Sequence, residues 1–93
     1  MELYGAEIPS ITEADNETNP IAYLKFSNGE WSWYIIGAEE MDNDVYLFCL
    51  VDGFVKELGM ATLNQIQSVN AVLDENWKAV GVFDIFDDFD LRR

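Results

Sequence analysis

The stretch that most limits what this chain can fold into is IAYLKFSNGEWSWYIIG, residues 21–37. In its first half Ile21, Tyr23 and Lys25 alternate with Ala22, Leu24 and Phe26. In its second half Trp31, Trp33 and Ile35 alternate with Ser32, Tyr34 and Ile36. A period of two puts successive side chains on opposite faces of a strand. Between the halves stands Asn28-Gly29, the pair that tolerates the positive φ of a type I′ turn. The spacing predicts an antiparallel hairpin, and the rest of the chain must pack on it.

More strands follow. AEEMDND reads as a polar loop, and VYLFCLV as a third strand, apolar on both faces and therefore central. Asp52-Gly53 is a second hairpin signal, leading into FVKELGMA as the fourth strand of a meander. Thr62 and Gln65 have capping-box spacing, with Leu63, Ile66, Val69 and Leu73 at helical intervals after them. This predicts a helix over about 63–73 on one sheet face. AVGVFDIF reads as a fifth strand at an edge, beginning an acidic C-terminal segment, 79–93. The first 20 residues hold five acids and no base. Ser10 and Glu13 could cap a helical turn there; in an extended segment Glu13, Asp15 and Glu17 would share a face. The expected fold is α+β, an antiparallel sheet of four to five strands with one helix, and 93 residues make it one domain.

Charge and composition narrow the function. Eighteen acids face five bases, a net charge of −13, whereas solubility needs only about 2–8 in magnitude. Binding to nucleic acid or to an anionic membrane surface would need clustered Lys and Arg, so neither is expected. With 49% apolar residues the chain can nonetheless form a core. No run approaches a membrane span, the N-terminus lacks the pattern of a signal peptide, and a single cysteine, Cys49, cannot form an internal disulfide. These features predict a cytoplasmic protein of a bacterial host cell.

Histidine is absent, which removes the commonest general base and transition-metal ligand. No phosphate loop, nucleophile elbow or dinucleotide fingerprint is present, so binding rather than catalysis is expected. Asp42-Asn43-Asp44 lacks the glycine and the twelfth-position glutamate of a calcium loop and reads as a turn. Asp84, Asp87, Asp88 and Asp90 have no spacing that defines a magnesium site. No cofactor or metal is predicted. Trp31 and Trp33 share a strand face and read as core, since a base-stacking platform would come with a basic groove.

The acids remain to be explained. Residues two apart along a strand lie about 6.7 Å apart on one face, close to the separation of successive phosphates along one nucleic-acid strand. Asp88 with Asp90, Asp42 with Asp44, and Glu13 with Asp15 and Glu17 have this spacing. The candidate contact residues are Asp84, Asp87, Asp88 and Asp90 in the tail, then Glu39, Glu40, Asp42 and Asp44.

YLKFSNGEWSWYIIGAEE, YLFCLVDG and KELGMATLNQI together resemble a family of small domains of unknown function carried by plasmids, phages and integrative elements. Lys25, Phe26, Trp31, Trp33, Leu50, Asp52, Gly53, Glu57, Leu58 and Gly59 carry the likeness. The chain departs from the family at Cys49, where glycine is usual, at Met60, where tyrosine is usual, and in its acidic close. The resemblance implies a mobile-element origin and no particular activity. Mobile elements contend with restriction and CRISPR systems, whose nucleic-acid channels are basic. Acidity and resemblance together predict a counter-defence inhibitor, anti-CRISPR or anti-restriction, that binds the basic nucleic-acid site of a host defence complex as a DNA mimic. It would act as a monomer or homodimer. The alternative is a plasmid or phage accessory module whose acidity is incidental and whose partner binds an apolar patch.

Overall fold

The computed structural model describes residues 1–86. Along the chain run β1 (Glu2–Leu3), β2 (Ala6–Glu7), α1 (Ile11–Asp15), β3 (Ile21–Ala22), β4 (Leu24–Asn28), β5 (Trp31–Met41) and β6 (Asp44–Asp52). They are followed by β7 (Lys56–Thr62), α2 (Leu63–Ser68), β8 (Val72–Leu73), β9 (Val80–Gly81) and α3 (Val82–Ile85). The α+β expectation holds: β4 to β7 form an antiparallel meander, and β8 joins outside β4 to give the order β7-β6-β5-β4-β8. Two small sheets, β1-β2 and β3-β9, flank it.

The sheet is buried on both faces. On one, Leu24, Phe26, Ile35, Leu47 and Cys49 pack under Ile8, which follows the β1-β2 hairpin, and under Ile66 of α2. On the other, Tyr34, Ile36, Phe48 and Leu50 pack under Ala14 of α1 and Val82 of α3. β6 supplies buried residues to both faces in strict alternation, as its unbroken apolar run implies.

In β5 the register shifts between Ile35, opposite Cys49, and Gly37, opposite Phe48, which makes Ile36 the extra residue of a β-bulge. Ile36 and Gly37 therefore both face α1, and Ala38 returns to the first face. A Cβ at Gly37 would stand 3.0 Å from the Ala14 Cβ and 3.2 Å from the Ile11 Cα. Glycine lets α1 lie directly on the sheet.

Several local expectations are corrected. Asn28 pairs with Trp31, so the first loop is Gly29-Glu30, with positive φ at Gly29 and not at Glu30, the type II′ pattern. Asn28 stays in the strand, and its amide donates to the Val69 carbonyl at 2.6 Å. The type I′ turn is instead at Asp42-Asn43, where φ is 51° and 65°. AEEMDND is thus strand nearly throughout, not loop. Tyr23 interrupts the first strand, and β3 leaves the main sheet for β9.

The C-terminal half departs further. The helix expected over 63–73 stops at Ser68, because Asn70 takes a left-handed conformation, φ 60°, and the Ala71 N–H bonds back to the Ile66 carbonyl. That release frees Val72 and Leu73 to pair with Ser27 and Phe26, and they form the fifth strand. AVGVFDIF is not that strand. Only Val80 and Gly81 are extended, and Val82–Ile85 makes a helical turn that buries Val82. Trp33 is half-buried against the core, while Trp31 sits at its rim, 37% exposed.

Candidate functional site

The site grows from a gap beside β5. β4 ends its pairing with β5 at Leu24 opposite Ile35, so the edge of β5 beyond the bulge needs another cover. The N-terminal segment supplies it, with the Ala38 N–H donating to the Pro9 carbonyl at 3.0 Å. Pro9 leads into Ser10, whose hydroxyl accepts the Glu13 N–H at 3.2 Å while the Glu13 carboxylate accepts the Ser10 N–H at 3.1 Å. The capping box read from the sequence is therefore real, and it sets α1 against the β5 edge.

Glu39 ties the two elements together. Its carboxylate accepts the Ile11 N–H, at the first turn of α1, at 2.9 Å. One of the orphan amides of the helix start is thereby satisfied by a charged acceptor. Glu39, Glu40, Glu7 and Glu13 then line one groove of about 640 Å³ with Tyr23 and Ser10. Glu13 also borders a second, narrower groove of about 220 Å³, together with Glu17 and Asn19. Asn19 accepts the Phe83 N–H at 3.0 Å, which fixes the first turn of α3 and its exposed Asp84 beside that groove. The result is a contiguous anionic strip running from Glu40 across α1 to α3.

Among the described residues no lysine or arginine lines either groove; the Met1 ammonium lines the larger one and donates to the Ile8 carbonyl at 2.6 Å. Lys25 is held elsewhere, 5.4 Å from the Tyr34 ring centroid and 5.7 Å from that of Trp77, and Lys56 lies 4.9 Å from the Phe86 ring. The Ser10 N–H, and after it the Ser10 hydroxyl, hold the Glu13 carboxyl below its ordinary pKa. Among the described residues no group of acids or Cys49 is arranged to hold a metal ion. Cys49 is buried, and desolvation pushes its thiol up to about 12, which makes it inert as a nucleophile.

The predicted contact residues are only partly brought together. Glu39 and Glu40 meet in the groove, and Asp84 stands at the far end of the strip. Asp42 and Asp44 do not share a strand face, because Asp42 lies in the left-handed turn and Asp44 accepts the Val45 N–H with its own carboxylate. Glu13, Asp15 and Glu17 lose their two-residue spacing to the helix of α1. Asp87, Asp88 and Asp90 lie outside the described residues. Glu7, Glu13 and Glu17 complete the strip, and their convergence with Glu39 could not be read from a linear spacing. The capping box was the one available signal.

No helix of the described residues is long and apolar enough to cross a membrane. The chain matches no protein-family model, no curated protein and no solved structure.

Proposed function

We propose that this protein is an acidic counter-defence inhibitor, of the anti-CRISPR or anti-restriction kind, that occupies the basic nucleic-acid site of a host defence complex as a DNA mimic. The observation that supports this reading is the strip itself: Glu7, Glu13, Glu17, Glu39 and Glu40 border two adjoining grooves that no described lysine or arginine lines, with Asp84 beside them and the Met1 ammonium as the cation present. Several of these carboxylates sit on packed elements, which limits the ordering entropy lost on binding. Opposite charge would steer association and make it steeply salt-dependent. In this reading Asp87, Asp88 and Asp90 are partner contacts too. Asp42 and Asp44 would add contacts of their own.

The test is affinity capture from a bacterial lysate containing active defence complexes, with duplex DNA or buffer in the wash. A captured DNA-binding complex that duplex DNA displaces is the expected result. Capture of a complex that DNA leaves in place would overturn the mimic reading. Reversing Glu17, Glu40 and Asp84 to lysine together should lower the association rate by roughly ten- to a hundredfold while the domain stays folded.

A further inference from the structure

A second surface lies at the other end of the sheet. The Gly29-Glu30 turn and the loop Gly53–Val55 close the meander there, at the end opposite the Asp42-Asn43 turn. Phe54 is 90% exposed and Val55 64% exposed. Phe54 is nonetheless braced: its ring meets Trp31 edge-on at 5.5 Å, and Trp31 stacks on Trp33 at 6.3 Å. Trp33 packs in turn against the core. The loop closes on itself through the Gly53 N–H to the Val55 carbonyl, 3.1 Å.

A braced aromatic projecting into solvent contributes nothing by that exposure to the fold. It does have the properties of a binding hot spot, with large apolar area already ordered before contact. Acids surround it. Glu30 is exposed next to Trp31, and Glu57 is exposed opposite Val51, in the row that includes Trp33. An apolar centre with an anionic rim fits an apolar segment flanked by positive charge. The net charge of −13 opposes a second copy of this chain.

We propose that the Trp31–Phe54 end of the sheet is a docking surface for an amphipathic, basic segment of a partner protein. Its leucine-like side chains would cover Trp31, Phe54 and Val55, and its lysines or arginines would face Glu30 and Glu57. The proposal does not depend on the acidic strip making any contact.

The experiment is an NMR titration of the full chain with a helical leucine–lysine peptide, with polylysine and a leucine–glutamate peptide as comparisons. The expected result is saturable shifts of the Trp31 indole and of the Gly53, Phe54 and Val55 amides with the leucine–lysine peptide alone. Phe54→Ala, at a site too exposed to threaten folding, should weaken that binding by roughly tenfold or more. Shifts confined to Glu13, Glu39 and Glu40 with both cationic peptides would overturn this proposal while leaving the acidic strip as a contact. Equal binding of the leucine–glutamate peptide would overturn it too. So would concentration-dependent shifts of the same amides without peptide, accompanied by a dimer in sedimentation, because the occupant would then be a second copy.

Discussion

The ring of Trp31 fills the space beside Gly53, so close that a Cβ there would fall 2.4 Å from two of its atoms and 2.6 Å from a third. Gly53 does not have a positive φ. It is required because an aromatic ring occupies the space, not because the turn needs an unusual dihedral angle. Gly53→Ala should therefore cost about 1–3 kcal/mol, the range for overpacking a fitted contact. In a Trp31→Ala background the same change should cost little. Urea melts of the four proteins of this double-mutant cycle would show the coupling, and additive losses would mean that glycine is needed for the turn.

This contact shows how far the sequence could be read. Asp52-Gly53 was legible as a hairpin signal, but the reason for the glycine lay across the sheet. The meander was legible because alternation, two turn signals and an unbroken central strand agree with one another. The first turn could move by one residue without harm: pairing Asn28 with Trp31, in place of the register of an Asn28-Gly29 loop, shifts partners by two and keeps every side chain on its face. The second half was less legible because Val69 and Leu73 continue the helical spacing past the point where Asn70 ends the helix. Trp77 gave no sequence signal. It lies outside any strand or helix, yet its indole N–H donates to the Ala22 carbonyl at 3.0 Å and its ring packs on Tyr34. The acidic strip was legible in its charge but not in its place, since Glu7 and Glu39 are joined only through the fold.

Glu39 has two separable roles. Its hydrogen bond to the Ile11 N–H holds the start of α1, and its charge belongs to the strip. Glu39→Gln keeps an acceptor oxygen and should change stability by well under about 1 kcal/mol, whereas Glu39→Ala should lose about 1–2 kcal/mol. Glu40 is exposed, so Glu40→Gln should leave the melting curve in place while removing charge from the same groove. Thermal melts of the three variants decide the matter; equal stability of Glu39→Ala and Glu39→Gln would remove the hydrogen bond from the account.

Cys49 makes stability fall at high pH. Burial keeps its thiol protonated to about 12, against 9.0 for the free group. Between those values the unfolded chain releases a proton that the fold retains, so the contribution is fully present below pH 9.0 and is lost as pH rises towards about 12. The slope attributable to this group should approach about 1.4 kcal/mol per pH unit. All other ionisable groups are common to both proteins, so the useful quantity is the difference between the protein and Cys49→Ala. From pH 8 to pH 11 the unfolding free energy of the protein should fall relative to that of the variant, whatever the offset at neutral pH. Parallel curves would mean that the thiol ionises within the fold.

The N-terminal hairpin carries a self-inflicted repulsion. Glu2 stands directly opposite Glu7 across β1-β2, and like charges in that position are destabilising. The hairpin matters beyond its size, because Ile8 follows it into the core and Glu7 lines the acidic groove. Changing Glu2 to lysine would turn the repulsion into attraction and should stabilise the protein by roughly 0.2–1 kcal/mol, together with a smaller gain from the lower net charge. Added salt should stabilise the unaltered protein more than Glu2→Lys, since it screens a repulsion that the variant lacks. Urea unfolding at low and high ionic strength measures both effects. A salt response identical in the two proteins would assign the repulsion to the molecule's overall charge and not to this pair. Glu7 would then line the groove at no local cost to the fold.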